Sequence, residues 1–111
     1  MILHTQSRIY QRAIELLKLT KYVIAEMPSG YGFLADHMRR SAASVLLNFA
    51  EGCGKRSKRE RQRCFCIAKS EAYEVAAVLD AQQCLGVIRD DIYIKGKDIC
   101  DHLGAMLSKY K

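Results

Sequence analysis

The stretch "NFAEGCGKRSKRERQRC", residues 48–64, joins an apolar run to a cluster of positive charge. Its first part ends in Glu51-Gly52-x-Gly54, and residues 55–63 then contain six cations. Such a stretch is open to three interpretations: a phosphate-binding loop, a nucleic-acid contact, or an ordinary turn between two helices with a charged exit. The segments on either side decide between them.

The segment before the stretch has the pattern of an amphipathic helix. Apolar residues recur at three- and four-residue steps over about residues 33–51, from Leu34 to Phe49. We expect Gly52 and Gly54 to end this helix, because glycine readily adopts the left-handed conformation that follows many helix ends.

The segment after the stretch predicts a third helix. Ser57 and Glu60 have the spacing of a capping box, so the helix is expected to begin there and to continue to about Leu85, before Gly86.

Two further helices are predicted at the ends of the chain. The first has an apolar stripe from Ile9 to Met27, and the breakers Pro28-Ser29-Gly30 close it. The fourth begins at Asp90 or Asp91, and its expected inward residues are Ile92, Ile99, Leu103, Met106 and Tyr110. Its two internal glycines, Gly96 and Gly104, each cost up to about 1 kcal/mol relative to alanine, so it is expected to be the weakest helix.

The connections between these helices are short, at about three to six residues. Helices joined in this way are antiparallel neighbours, and no segment shows the alternation of a strand. The sequence therefore predicts an all-α protein, a single domain over residues 1–111 folded as an antiparallel up-down-up-down four-helix bundle.

Composition is consistent with a soluble protein. Half of the 111 residues are hydrophobic, yet no run reaches the roughly 18 apolar residues of a membrane span. The Met1–Thr5 start lacks the cationic head of a signal peptide. We therefore expect a cytoplasmic protein with no membrane partner.

Residues for catalysis or metal binding are not evident. In a phosphate-binding loop Gly54-Lys55 would be followed by Ser or Thr, but Arg56 stands there, and Phe49 takes the place of the first glycine. The five cysteines form no framework spacing and are expected to be reduced structural thiols. Glu71 and Glu74 lie one helical turn apart, but the chain has no Glu-x-x-His motif to complete a di-metal site. We expect no catalytic residue, no metal and no cofactor, and hence no enzyme.

The positive charge of the chain is concentrated in one place. The formal net charge is +6, and residues 55–63, with six cations and the carboxylate of Glu60, carry +5 of it. Cations at a helix start oppose the helix dipole, and a bound polyanion would relieve that cost. Contact with a nucleic-acid backbone and charge that only maintains solubility both remain open. The candidate nucleic-acid-binding residues are Lys55, Arg56, Lys58, Arg59, Arg61 and Arg63.

Four polar residues also follow one side of the second helix. Arg40, Ser44, Asn48 and Glu51 lie at steps of four, four and three residues. They form either a solvated stripe or, if packed against another helix or subunit, a polar contact that fixes register.

The quoted stretch, taken with its neighbours, resembles a known family. "RRSAASVLLNFAEGCGKRS" (39–57) is similar to a signature of four-helix-bundle proteins encoded in intervening sequences of bacterial large-subunit ribosomal RNA genes. "CFCIAKSEAYEVAAVLDAQQCLG" (64–86) resembles the third helix of that family, except that many members have glycine where this chain has Ser70. The residues that match the signature are Arg40, Asn48, Glu51, Gly52, Gly54 and Ser57.

The resemblance implies an assembly and a class of partners. Members of the family associate into a ring, commonly a homopentamer, and five copies of the basic stretch would place a charge of about +25 on one end of it. A related branch is the accessory variability determinant of diversity-generating retroelements, a basic pentamer that partners a reverse transcriptase and binds nucleic acid. Our leading hypothesis is a non-enzymatic ring that binds structured RNA or an RNA–DNA hybrid through phosphate contacts. The alternatives are a protein-interaction scaffold, such as an accessory subunit of a reverse transcriptase, and an architectural oligomer.

Overall fold

The computed structural model describes residues 7–110, and the predictions made for the Met1–Thr5 start lie outside that range. Within it the chain forms four helices and no strand. They are α1 (Arg8–Ala25), α2 (Gly32–Cys53), α3 (Lys58–Cys84) and α4 (Asp90–Lys109). The predicted all-α class is confirmed, and each predicted boundary lies within about three residues of the observed one.

The four helices are arranged as a square. α1 packs on α2, α2 on α3, α3 on α4 and α4 on α1, and across residues 7–110 the backbones of the diagonal pairs do not approach closely. The start of α3 meets the end of α4, where the ring centroids of Phe65 and Tyr110 are 5.0 Å apart. The end of α3 meets the start of α2, where Gln82 contacts Met38. Neighbouring helices are therefore antiparallel, which agrees with the predicted four-helix bundle. Its assembly into a ring stays a prediction.

The predicted apolar stripes form one continuous core. Leu16, Met38, Phe49, Leu79 and Leu103 are fully buried, and they come from all four helices. Small residues at other core positions let the helices approach closely. These fully buried alanines are Ala13, Ala42, Ala68 and Ala72.

Both ends of α3 are closed by local hydrogen bonds. At its start the Glu60 amide donates to Ser57 Oγ at 3.2 Å, which confirms Ser57 as the N-cap. At its end Gly86 adopts a φ of +71°, while the Val87 amide donates to the Gln82 carbonyl at 3.0 Å. This is the Schellman arrangement, in which a left-handed glycine satisfies the last carbonyls of a helix.

The prediction that Gly52 and Gly54 end α2 in a left-handed conformation is wrong. Gly52 lies inside the helix, and Gly54 follows it with a φ of −88°. Gly52 is instead required for packing, because a β-carbon there would stand 2.6 Å from Cε1 of Phe65 and 2.9 Å from Cβ of Cys64.

The two glycines of α4 have the same function as Gly52. A β-carbon on Gly96 would stand 2.8 Å from Leu79 Cδ1, and one on Gly104 would stand 2.6 Å from Tyr73 Cε1. These glycines lower the helix propensity of α4, but they allow α4 to pack closely against α3.

The cysteines are all free thiols, but not all behave as core residues. Cys64 and Cys100 are buried, whereas Cys66 and Cys84 are exposed on α3. None of the helices within residues 7–110 is long and apolar enough to span a bilayer.

Candidate nucleic-acid interface

The six predicted cations lie together at one end of the bundle, on the α2–α3 loop (residues 54–57) and the first two turns of α3. We call this surface the basic patch; it comprises Lys55, Arg56, Lys58, Arg59, Arg61 and Arg63. Five of the six side chains are exposed, and Arg61 alone is half-buried. The structure therefore brings all the sequence-predicted binding residues to one surface, with one of them in a different environment.

No residue of the basic patch forms an ion pair with any part of the described chain, and none pairs with Glu60, the carboxylate that lies among them on α3. Some cations elsewhere are paired, such as Arg12 with Asp98 and Lys97 with Asp80 at 2.8 Å. The other paired arginines are Arg39 and Arg89. Other cations, such as Lys18, Lys21 and Lys95, are exposed and form no ion pair within residues 7–110. The cations of the patch thus have no carboxylate partner in an ion pair among residues 7–110.

The backbone of the loop is held at both ends. The amides of Gly54 and Lys55 donate to the carbonyls of Glu51 and Gly52, at 3.0 and 3.2 Å. Arg61 binds the other side of the loop: its guanidinium Nη1 donates to the Arg56 carbonyl at 2.7 Å and to the Lys55 carbonyl at 3.3 Å. The loop is therefore an ordered turn despite its charge.

The start of α3 adds unsatisfied donors to the patch. Ser57 Oγ caps the Glu60 amide, whereas the amides of Lys58 and Arg59 donate to no group within residues 7–110. Free N–H groups at a helix start carry partial positive charge and bind anions such as phosphate. They point to the same class of ligand as the side chains do.

A cluster of three aromatic residues packs together in the bundle, next to the basic patch. Phe49 of α2 lies 5.6 Å from Phe65 of α3 and 5.2 Å from Tyr110, measured between ring centroids. Tyr110 was predicted to point inward, and although it is 37% exposed its ring packs on both phenylalanines. Gly52 lets Phe65 reach this position. The start of α3, which carries part of the patch, is therefore held in place by packed aromatic side chains.

The signature residues divide into two groups. Gly52, Gly54 and Ser57 shape the turn that carries the patch. Asn48 belongs to the α2 surface, where its Nδ2 donates to the Ser44 carbonyl at 2.9 Å, and Arg40 is exposed one further turn away.

Glu51 lies between the two groups along the chain. It is exposed on α2, and its carboxylate accepts from Cys64 Sγ at 3.6 Å. Burial, followed by the charge of Glu51, raises the pKa of the Cys64 thiol.

A second polar cluster lies between α2 and α3, away from the patch. Glu74 accepts hydrogen bonds from Ser41 Oγ and approaches His37 Nε2 to 3.3 Å. The Ser41 hydrogen bond, followed by that of His37, lowers the pKa of Glu74. Glu74 thus makes polar contacts with two residues of α2. Across residues 7–110 no group of three or more His, Cys, Asp or Glu side chains could hold a metal ion.

Comparison with known proteins identifies the family. The family model for 23S rRNA-intervening sequence proteins matches residues 5–109. The chain belongs to this family. The resemblance inferred from residues 39–57 and 64–86 is therefore confirmed over nearly the whole chain. No curated protein matches the chain.

The fold of this 23S rRNA-intervening sequence protein is similar to that of a solved structure from Bacteroides thetaiotaomicron. That protein is described as one with unknown function from the S23 ribosomal protein family. The TM-score is 0.82 at 16% sequence identity, over 89% of this chain and 94% of that chain. At this identity the likeness establishes the shared bundle fold.

Proposed function

We propose that this protein is a non-enzymatic oligomeric bundle that binds the phosphate backbone of structured RNA, or of an RNA–DNA hybrid, through the basic patch. The observation that carries this proposal is the grouping of six cations on one surface, none of which forms an ion pair within residues 7–110. Exposed cations without carboxylate partners are available to neutralise phosphates.

The distribution of donors supports recognition of a backbone over recognition of bases. Arginine and free helix-start amides both suit phosphate oxygens, and the patch offers three exposed arginines and the amides of Lys58 and Arg59. The patch itself contains no aromatic side chain on which an unpaired base could stack. Binding is therefore expected to depend on the shape and charge of the nucleic acid.

Self-association into a ring would strengthen this activity. Leu47 on α2 and Ile94 on α4 are 64% and 66% exposed, and α2 and α4 are diagonal in the bundle. Two different apolar surfaces on opposite sides fit a head-to-tail contact, which closes into a ring when the rotation allows. A pentamer would gather five patches on one assembly and so raise the local positive potential.

The second candidate function is a protein-interaction scaffold, for instance an accessory subunit of a reverse transcriptase. The same exposed side chains, Leu47 and Ile94, favour it, because they could contact another protein in place of a second copy. In that case partner binding would survive removal of patch cations and would fail on substitution of the α2 or α4 surface.

The test is binding of a structured RNA across a salt series, combined with the light-scattering mass of the free and bound protein. Log K should fall by about 0.7–0.9 per phosphate neutralised for each unit of log salt. The double variant Arg59→Ala/Arg63→Ala should reduce that slope by about 1.4–1.8. Lys18→Ala/Lys21→Ala removes the same charge from exposed positions of α1 and should leave the slope unchanged.

Two results would reject the proposal. One is a protein that binds neither RNA nor DNA at low salt, which would favour the scaffold. The other is an equal loss of slope in the two double variants, since this would mean that net charge alone governs binding.

A further inference from the structure

Arg61 differs from every other cation of the basic patch. It is half-buried, and its guanidinium points back at the loop that precedes it. Nη1 donates to the carbonyls of Lys55 and Arg56, and the backbone amide of Arg61 donates to the Ser57 carbonyl at 3.0 Å. Three consecutive loop carbonyls are therefore held by one residue.

These hydrogen bonds fix the direction in which the loop faces. With the carbonyls of Lys55 and Arg56 turned toward Arg61, the two side chains on the same residues remain exposed at the surface. Without Arg61 neither carbonyl would have a donor from the described chain, and the turn would lose a tie between its middle and the first turn of α3. Lys55 and Arg56 would then sample more positions.

We infer that Arg61 is the positioning residue of the patch: it orders the α2–α3 loop so that Lys55 and Arg56 meet the phosphates, and it does not itself contact the nucleic acid. This inference rests on the proposed function for its binding part. It reassigns one of the six residues that the sequence singled out, since sequence alone does not separate a cation that binds a ligand from one that binds its own loop. Ordering a binding loop in advance raises affinity because less conformational freedom is lost on binding.

The substitution that tests this is Arg61→Lys. Lysine keeps the charge but replaces the planar, multi-donor guanidinium with a single flexible ammonium, so the paired carbonyl contacts are lost. The matched control is Arg63→Lys, because Arg63 is exposed two residues further along α3 and holds no loop carbonyl. Both variants preserve the net charge of +6.

Two quantities are measured. The first is amide hydrogen exchange of Gly54, Lys55 and Glu60 in the absence of RNA, since these amides are hydrogen-bonded within the turn. Exchange at these positions should be about ten-fold faster in Arg61→Lys and unchanged in Arg63→Lys. The second is affinity for structured RNA at fixed salt, which should fall about five-fold or more in Arg61→Lys and by less than about two-fold in Arg63→Lys.

The exchange measurement tests the role of Arg61 in the loop, and the affinity measurement tests RNA binding, so each can be rejected without the other. Equal weakening of RNA binding by both substitutions, with loop exchange unchanged, would overturn the inference and assign Arg61 to phosphate contact. If no form of the protein binds RNA, the proposed function fails, and the exchange data alone decide the loop assignment. Faster exchange in Arg61→Lys then supports it, and unchanged exchange overturns it.

Discussion

A β-carbon on Gly52 of α2 would stand 2.6 Å from Cε1 of Phe65 of α3. This contact brings the end of α2 against the start of α3 directly beneath the basic patch, and it joins the loop to the aromatic cluster. Gly52 is thus a packing residue, and its substitution should lower the stability of the protein.

Gly52→Ala is expected to destabilise the protein by about 1–3 kcal/mol, because the new methyl group overpacks the contact with Phe65 and Cys64. Chemical denaturation measures the change in free energy of unfolding. Gly32→Ala is the control: Gly32 begins α2 with nothing within 4 Å of its β-position, so this variant should gain about 0.4–1 kcal/mol. A stabilised Gly52→Ala would contradict the packing account.

Gln82→Met should stabilise the bundle by about 1–3 kcal/mol. Gln82 is fully buried, its Oε1 accepts no hydrogen bond from the described chain, and its Nε2 contacts only the weak acceptor Met38 Sδ at 3.5 Å. Methionine fills a similar volume and removes the unsatisfied carbonyl. The neighbouring exposed position offers the control, and Gln83→Met should change thermal stability by less than about 0.5 kcal/mol. A loss of stability in Gln82→Met would mean that the amide has a partner in solution.

Asp80→Asn should reduce stability at neutral pH and have no effect in acid. Lys97 Nζ and Tyr93 Oη donate to Asp80 at 2.8 and 2.6 Å, and these bonds, led by that of Lys97, lower the pKa of the carboxyl. A lowered pKa stabilises the fold above the unfolded value of about 3.9, and the contribution is lost as the pH falls through the folded value.

Unfolding curves of the wild type and Asp80→Asn should therefore converge as the pH is lowered. Asp101→Asn, at an exposed carboxylate whose charge acts on Lys97 without a hydrogen bond to it, should shift the curve less than Asp80→Asn does. Curves for Asp80→Asn that stay separate in acid would argue against an electrostatic origin.

Thiol labelling should divide the cysteines into fast and slow classes. Burial raises the pKa of Cys100 to about 12, so at pH 8 it has roughly a thousandfold less thiolate than a thiol of ordinary pKa. Cys66 and Cys84 are exposed and should react at once, while Cys64 and Cys100 should react only as the protein opens. The variant Cys66→Ser/Cys84→Ser should lose the fast phase, as followed by mass spectrometry. A fast phase that persists would place another thiol at the surface.

The sequence predicts elements well where local rules and packing agree. The three- and four-residue periodicity locates all four helices, and the Ser57–Glu60 spacing locates the start of α3 to the residue. The connections are too short for anything but antiparallel neighbours, so the architecture also follows.

The predictions fail where a contact that exists only in the folded chain determines the role of a residue. The Glu-Gly-x-Gly pattern suggests a left-handed helix end, but Gly52 is needed because Phe65 lies against it, and the position of Phe65 is known only in the folded chain. The six cations look alike in sequence, and only the geometry of the turn separates Arg61 from Arg59 and Arg63. The exposure of Cys66 depends in the same way on which side of α3 faces its neighbours.

The even number of antiparallel helices has a practical consequence. Ser7, before α1, and Tyr110, after α4, both line one small pocket beside the aromatic cluster, at the same end of the bundle as the basic patch. A fluorophore attached at Ser7 or Tyr110 would therefore sit next to the basic patch and interfere with ligand binding there. The turns at Gly30 and Gly86, at the opposite end of a bundle 44 Å long, are the sites for labelling or for attaching the protein to a sensor chip.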